Sequence, residues 1–337
     1  MIGRGLGSSA ARQLGNSATR RLGVLLACIA AVPFGAAVAQ SPFPRTFTIR
    51  ADNDAFDFWM LPWNRPDEEY TSGVHLTYEG GNAPRWARAA LRGFAACGET
   101  PSKCASSRWE LGQDIYTPSV SPDDPHAAPG ARPNAGWLYL TEAARVLSPS
   151  SFDELAISLG VTGPPSLGRF TQQLAHHAAP AFNRPTDWSQ QIGFEPGAIV
   201  SYESRRRASV GNAADFTPYA SASLGNILTQ AEGGFDVRVG WHLSAPWFPS
   251  ANGLGFAITS GASGRAIART VFLDGNTFHD SPRVGHEPFV GSGRAGVELR
   301  YRAFSAAFVA HNDTRSYAAG PKWHPWSSLI GSVTLDD

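Results

Sequence analysis

Apolar and polar residues alternate one by one along many short stretches of this chain, and Gly, Pro, Asn and Asp separate the stretches. In residues 235–242, for example, Phe, Val, Val and Trp alternate with Asp, Arg, Gly and His. Successive side chains of a β-strand point to opposite faces, so each stretch predicts a strand with one apolar and one polar face. We predict about twelve strands in this way, near residues 45–52, 70–80, 106–116, 136–148, 153–162, 196–206, 216–226, 231–242, 255–272, 288–302, 303–312 and 327–335.

The alternation fits two kinds of fold, a soluble β-sandwich and a transmembrane β-barrel. In a membrane barrel the apolar face meets lipid and the charged face lines the lumen. Trp and Tyr near the strand ends, charges on the polar faces, an even strand number and a signal for export favour the barrel. The predicted fold is therefore all-β, a transmembrane antiparallel β-barrel with a short helix in one extracellular loop, formed by residues 40–337 as one domain.

Residues 1–39 have the pattern of a cleaved signal peptide. A basic, acid-free start precedes an apolar run from Leu22 to Val38, and the run closes on Ala37-Val38-Ala39, which fits small-x-small cleavage. The run is short for a membrane anchor, which is the alternative interpretation. We predict that the protein is exported and that the mature chain begins near Gln40.

Charge and cysteine content narrow the function. The chain has 28 basic residues, of which four are arginines of the leader, so the mature part has 24 basic against 28 acidic residues. Nucleic acid is therefore not an expected partner. Cys97 and Cys104 are the mature cysteines, and in an exported protein they could close a small disulfide, whereas a zinc site would need further nearby ligands.

One helix is predicted in the mature chain, from Leu167 to Ala178, between prolines. Gln172 and His176 lie four residues apart, which places both on one helix face. A histidine can take a proton from water, and an amide neighbour can orient it or donate to a developing oxyanion. The same spacing also suits solvated polar residues on a loop helix, and spacing alone leaves both interpretations open.

Acidic and amide residues end the first predicted strand and open the second. Asp52-Asn53-Asp54 precedes a long loop, and Glu68-Glu69-Tyr70-Thr71 follows it. If the two strands pair, these oxygens converge at one rim, where they could bind a hard cation such as calcium or simply solubilise the loop. Alternation places Asp52 and Asp54 on the polar face and Asn53 on the other, unless a β-bulge intervenes.

A series of short motifs runs in order through nearly the whole mature chain. The series consists of Asn53-Asp54 with Phe56, Tyr70-Thr71-Ser72-Gly73, Gly112-Gln113-Asp114-Ile115-Tyr116-Thr117-Pro118, Arg132-Pro133 with Ala135-Gly136-Trp137, Gly163-Pro164 with Gln172 and His176, Trp188 with Gln191, Glu195-Pro196, Leu224-Gly225-Asn226, and Leu273-Asp274-Gly275-Asn276-Thr277-Phe278. In this order and spacing the chain resembles the LpxR family of outer-membrane lipid A 3'-O-deacylases.

The resemblance implies a twelve-stranded barrel in the outer membrane and an esterase site at its rim, between the wall and a loop helix. It also implies hydrolysis of the 3'-linked acyloxyacyl ester of lipid A with calcium assistance. Carried over residue by residue, His176 would activate water with support from Gln172. Asn53, Asp54 and Thr71 would shape the cation and oxyanion region, with Asp54 and Asn53 as metal ligands. Lipid A or lipopolysaccharide is then the substrate, outer-membrane lipids surround the barrel, and we expect a monomer.

Two positions depart from the family pattern, Ala131 before Arg-Pro and Asn134 after it, and residues 119–131 contain no lysine. These departures motivate an alternative function, a catalytically silent barrel of the same fold that serves in structure or transport. A phospholipase on a similar barrel is a further alternative.

Overall fold

A computed structural model describes residues 45–54, 69–97, 103–118, 129–178, 187–248 and 253–335 of the protein. The predicted leader lies outside these residues. Twelve long strands form one barrel, as the alternation predicts. They are β1 (Arg45–Asn53), β2 (Glu69–Glu79), β3 (Cys104–Thr117), β4 (Ala135–Ser148), β5 (Ser151–Thr162), β6 (Pro196–Arg206), β7 (Ala214–Gly225), β8 (Leu228–Trp241), β9 (Leu254–Thr270), β10 (Phe289–Tyr301), β11 (Phe304–Thr314) and β12 (Trp323–Leu335). Two short strands, Ala95–Ala96 and Ala208–Val210, pair with β3 and β7.

Each long strand pairs antiparallel with its neighbours in sequence, and β1 pairs with β12 to close the sheet. Closure satisfies the backbone groups that an open edge would expose, which a lipid environment requires. Two-residue turns join β4 to β5 and β10 to β11 at one end, which we call the turn end. The opposite end, reached by Asn53 of β1, carries long connections and is called the loop end. Transmembrane barrels place such long loops outside the cell.

The two faces of the wall differ as predicted. Large aliphatic side chains on the outer face, among them Ile49, Leu111 and Leu140, are 45–49% exposed. The inner face is lined with paired charges, for example Arg108 with Glu154 at 2.7 Å, around a cavity of about 910 Å³. An exposed apolar band outside and ion pairs inside are typical of a barrel surrounded by lipid.

A cluster of buried apolar side chains lies at the turn end. Trp247 lies buried against Phe152, with ring centroids 5.6 Å apart, and its Nε1 donates to the carbonyl oxygen of Ser148 at 2.6 Å. The same cluster contains Cys97 and Cys104, which form a disulfide. The predicted disulfide is therefore present, at the turn end.

The loop end holds the helices. The predicted helix is observed as α1 (Gly168–Ala178), one residue shorter than expected. The prediction of a single helix was wrong, because a short helix α2 (Val271–Asp274) follows β9 where we expected the strand to continue to residue 272. Its residues Val271, Phe272 and Leu273 are all buried, and such an apolar run does not distinguish strand from helix. Within the described ranges, no helix is long and apolar enough to cross a membrane.

Candidate active site

Helix α1 is fixed to the outer face of the barrel wall near the loop end. The carbonyl oxygen of Ser166, just before α1, accepts a 2.6 Å hydrogen bond from Nε2 of Gln113 on β3. A Cβ atom at Gly136 on β4 would lie 2.1 Å from Oγ of Ser166 and 3.4 Å from Cα of Gly168, so this contact requires glycine. The neighbours of Gln113 and Gly136 in sequence, Asp114 and Trp137, line cavities inside the barrel. Because strand side chains alternate, Gln113 and Gly136 face outward, and α1 therefore lies on the lipid side of the wall.

The face of α1 that turns toward the wall carries Gly168, Gln172 and His176, four residues apart. Gly168 and Gln172 are buried and His176 is half-buried, whereas Gln173 and His177 are exposed. The structure thus places Gln172 and His176 on one helix face, as their spacing predicts.

The side-chain amide of Gln172 has a defined orientation. Nε1 of Trp188 donates to Oε1 of Gln172 at 2.7 Å, and both side chains are buried. An indole N–H can only donate, so the amide oxygen is directed to Trp188 and the amide NH₂ group to the other side. Trp188 itself opens a short 3-10 helix whose preceding residue, Asp187, accepts a hydrogen bond from the backbone N–H of Ser189. From the sequence, Trp188 was identified only as part of a motif, and its hydrogen bond to Gln172 was not predicted.

Replacing Trp188 by phenylalanine tests the importance of this orientation. Loss of the indole donor leaves the buried Oε1 of Gln172 without that bond, a cost of about 1–3 kcal/mol, which corresponds to roughly 5- to 160-fold in rate if the amide turns. We expect kcat for the ester hydrolysis that the resemblance implies to fall in this range while KM changes little. Trp86→Phe is the matched control, because it also removes an indole hydrogen bond, to Glu142 at 3.0 Å, on an exposed surface. Equal rates for the two variants would contradict a positioning role for Trp188.

At the loop end the outer face of the wall becomes polar and buried. We call Asn53, Thr71, Thr117 and Ser327 the rim patch. Oγ1 of Thr71 lies 2.5 Å from Oγ1 of Thr117, and Asn53 of β1 is paired with Ser327 of β12. Thr71, Thr117 and Ser327 are at most 2% exposed. Buried hydroxyls on a wall that is otherwise apolar are the pattern of a polar site covered by loops.

A register shift between Tyr70 and Ser72 shapes the rim patch. Tyr70 turns into the barrel, where its hydroxyl shares its one proton between Asp52 at 2.9 Å and Asp114 at 3.0 Å, while Thr71 contacts Thr117 of β3. The β-bulge that the sequence left open in the first strand is not observed, since β1 pairs in regular register as far as Asn53, and the register shift in β2 was not predicted. Asp52 faces the lumen, so Asn53 faces outward, and Asp54 is buried at the end of β1.

A buried ion pair, Glu69 with Arg132, lies directly before this register shift in β2. Glu69 has a positive φ of 67° and accepts hydrogen bonds from Arg132 Nη1 at 3.2 Å and from the Tyr317 hydroxyl at 2.7 Å. Burial, and then the carboxylate of Glu69, raise the pKa of Tyr317, so this hydroxyl stays a donor. The guanidinium of Arg132 also stacks on Tyr116, 4.5 Å from the ring centroid.

The oxygen donors of the rim patch, together with the adjacent Asp54, match a hard cation by chemical type. Asn53, Asp54 and Thr71 offer an amide oxygen, a carboxylate and a hydroxyl, which are the oxygen ligands that calcium prefers. Among the described residues, no group of three or more His, Cys, Asp or Glu side chains is arranged to hold a metal. Backbone oxygens or water would therefore have to complete the coordination shell.

A second histidine, His75, which is buried and which sequence reasoning missed, lies inside the wall behind the rim patch. Nε2 of His75 is 3.3 Å from Asp52 and 3.4 Å from Asp114, and Nδ1 is 3.8 Å from Glu110. His75 was visible in the sequence as a polar-face residue of β2, but its carboxylate partners come from two other strands, β1 and β3. It belongs to the charge network of the lumen, on the opposite side of the wall from α1.

Three of the sequence motifs meet in one hydrogen-bonded clamp, formed by Glu195, Asn226, Asn276 and Thr277. The carboxylate of Glu195 accepts from Nδ2 of Asn226 and from the backbone N–H of Thr277, both at 2.6 Å. Asn276 bonds both the N–H and the C=O of Gly193. The clamp ties the connection after α1 to the loop after β9, which makes it a structural element of the site.

Because the clamp depends on the ionised carboxylate of Glu195, we expect it to contribute less to the stability of the protein in acid. Burial alone would raise the pKa of Glu195, but hydrogen bonds from Thr277 and Asn226 outweigh it and lower the pKa. A depressed folded-state pKa contributes stability above the ordinary value of about 4.3, and this stability is lost as the pH falls through the folded value. We expect wild type to exceed Glu195→Gln in unfolding free energy by a constant margin down to about pH 5, and the margin to shrink below that. Denaturant unfolding across this range measures it, and a margin independent of pH would contradict the prediction.

Asn134, one of the two departures from the family pattern, also has a structural role. Its Nδ2 donates to the carbonyl oxygen of Asp187 at 2.7 Å, and its own carbonyl accepts from the N–H of Ile192 at 3.0 Å. Asn134 thereby holds the segment that carries Trp188.

The chain is similar to one known protein family and to several solved barrel structures. The family model described as outer membrane protein LpxR matches residues 24–335. Among solved structures, LpxR from Salmonella typhimurium is similar at a TM-score of 0.68 and 18% identity, covering 86% of this chain and 99% of that one. At this identity the likeness shows the fold alone.

Other solved barrels are more distant. The β domain of the Bordetella autotransporter BrkA has a TM-score of 0.44 and 14% identity, covering 86% of this chain and 96% of that one. An outer membrane channel from Pseudomonas putida F1 has a TM-score of 0.45 and 12% identity, covering 90% of this chain and 100% of that one. The comparison with curated proteins finds no match.

Proposed function

The chain belongs to the LpxR family of outer membrane proteins, and we propose on that premise that it removes the 3'-linked acyloxyacyl group of lipid A at the rim patch, with His176 as the base. The family is one of lipid A deacylases, which are ester hydrolases. The observation that carries the proposal is the position of α1. It stands on the lipid side of the wall and turns Gln172 and His176 toward that wall, at the end where the rim patch lies.

In the proposed reaction, a water molecule attacks the ester carbonyl and His176 takes the proton that the water loses. The carbonyl oxygen becomes an oxyanion, and the NH₂ group of Gln172 donates toward it, since the amide oxygen is held by Trp188. The tetrahedral intermediate then breaks its bond to the sugar oxygen. The protonated His176 returns its proton to that oxygen, so the products are the free 3' hydroxyl and the released fatty acid.

Calcium is the proposed cofactor. Asp54 and Asn53 would hold it, with Thr71 beside them, because these side chains supply the oxygen donors at the end of β1 and the start of β2. A bound calcium ion supplies positive charge that favours the oxyanion. The residues of the chain orient the ester, and removal of the metal is expected to lower the rate without unfolding the barrel.

The proposed partners are lipid A or lipopolysaccharide as substrate and outer-membrane lipids as surroundings, with the protein acting as a monomer. Residues 1–39 remain a predicted signal peptide. Asn134, one of the departures that motivated the silent barrel, holds the segment of Trp188 in place, which supports an intact site. The silent barrel and the phospholipase are distinguished from the deacylase by the substrate that is hydrolysed.

The test uses the purified protein in detergent with calcium, given lipid A and, separately, phospholipid. We expect mass spectrometry to show loss of the 3' acyloxyacyl group from lipid A only, and a chelator to stop the reaction reversibly. Hydrolysis of phospholipid instead would establish the phospholipase. No hydrolysis of either lipid by folded, calcium-loaded protein would establish the silent barrel.

A further inference from the structure

Helix α1 has a third face that is apolar and uncovered. Leu167, Phe170 and Leu174, which we call the apolar stripe, are 51%, 62% and 46% exposed. Phe170 and Leu174 lie four residues apart on one face of α1, and Leu167, whose carbonyl oxygen accepts from the N–H of Thr171 at 2.9 Å, immediately precedes the helix. Beside them runs a polar stripe of exposed residues, Arg169, Gln173 and His177. At about 100° per residue the helix therefore presents three successive faces, one to the wall, one polar and one apolar.

The apolar stripe continues a surface that already meets lipid. Leu111 and Leu140 lie on the outer face of β3 and β4, two and four residues from Gln113 and Gly136, which fix α1 to the wall. Leu159 of β5, which is paired with Leu140, is 59% exposed. The aliphatic side chains on the outer face of the wall thus reach the N-terminal end of α1. The apolar stripe continues this apolar surface away from the wall.

We propose that α1 lies in the boundary layer of the outer leaflet, with lipid acyl chains covering Leu167, Phe170 and Leu174. Arg169, Gln173 and His177 then face the headgroups. This arrangement is that of an interfacial amphipathic helix, which buries its apolar face at the level where headgroups meet acyl chains. In water these half-exposed apolar side chains would forgo the stabilisation that contact with acyl chains provides.

This proposal concerns the same site as the proposed function, and its consequence for substrate binding rests on that function. The ester of an acyloxyacyl group lies at the same polar–apolar boundary of the leaflet. With α1 immersed there, the substrate reaches the space between helix and wall sideways, and its chains stay among other acyl chains. Phe170 and Leu174 are then the residues that hold substrate chains beside His176.

Site-specific fluorescence tests the location of α1 independently of activity. An environment-sensitive nitrobenzoxadiazole label is attached to Phe170→Cys or Leu174→Cys, with the Cys97–Cys104 disulfide intact. Gln173→Cys on the polar stripe and Leu140→Cys on the wall are the controls. The proteins are reconstituted in vesicles of phospholipid and lipid A, with and without bromine on the acyl chains. We expect labels at 170 and 174 to emit and be quenched like the label at 140, and unlike that at 173. Labels at 170 and 174 that behave like the label at 173 would overturn the proposal.

Kinetics test the consequence. The double variant Phe170→Asn/Leu174→Asn is expected to raise KM for lipid A in vesicles at least tenfold with kcat retained, whereas Gln173→Asn leaves both unchanged. Equal KM for wild type and the double variant would overturn the role in holding substrate. If wild type hydrolyses no lipid A, the proposed function fails, while the fluorescence result still decides where α1 lies.

Discussion

Replacing His176 by alanine is expected to lower lipid A deacylation by about 10²- to 10⁴-fold, which is the usual contribution of general base catalysis. Without the imidazole, the attacking water has to lose its proton to bulk solvent. His176 lies in the last turn of α1 and is half-buried, so its removal leaves no cavity in a packed core. The barrel should therefore fold and migrate as wild type does.

His177→Ala is the matched control, because it removes the same side chain one position along the helix, on the exposed side. Each protein is expressed with its natural leader, and mass spectrometry of lipid A gives the fraction that has lost the 3' group. Wild-type activity is expected for His177→Ala. Equal deacylation by wild type and His176→Ala would exclude His176 as the base, whereas loss in both variants would point to the helix as a whole.

The strands could be predicted closely because the barrel wall separates two different environments over its whole length. Most strand residues face either lipid or a charged lumen, so the alternation repeats along most of each strand, and β6 was predicted with its observed bounds. The prediction was wrong after Thr270, where the packing of α2 against the loop end decides the structure. There Phe272 stacks on Tyr116 of β3, with ring centroids 4.5 Å apart, and such a distant partner leaves no local signal.

The candidate site could be predicted only in part. Helical spacing places Gln172 and His176 on one face, but the hydrogen bond from Trp188 joins residues on two separate loop segments. Likewise, Thr71 joins Thr117 only because of the irregularity after Tyr70. The motifs around Glu195, Asn226 and Asn276 are indistinguishable in sequence from catalytic ones, and their contacts assign them to a clamp. The assignment of the base and of the metal ligands stays a prediction.

Replacing Arg132 by methionine is expected to destabilise the barrel by about 3–5 kcal/mol, because it leaves the carboxylate of Glu69 buried without its counter-charge. Arg132 and Glu69 are 5% and 2% exposed, so water cannot replace the lost partner. Glu69 immediately precedes Tyr70 and Thr71, so we also expect deacylation to fall, through disorder of the rim patch.

The double variant Glu69→Gln/Arg132→Met separates loss of a counter-charge from loss of packing. Glutamine is neutral and still accepts from the Tyr317 hydroxyl, so the penalty for an unpaired buried charge disappears. We expect urea unfolding in detergent at neutral pH to show that the double variant recovers more than half of the stability that Arg132→Met loses. If the double variant is instead less stable than Arg132→Met, the contribution of Arg132 comes from its packing on Tyr116. Because the same carboxylate anchors the start of β2, recovery of activity should follow recovery of stability, which would link the buried pair at the rim to the geometry of the site beside α1.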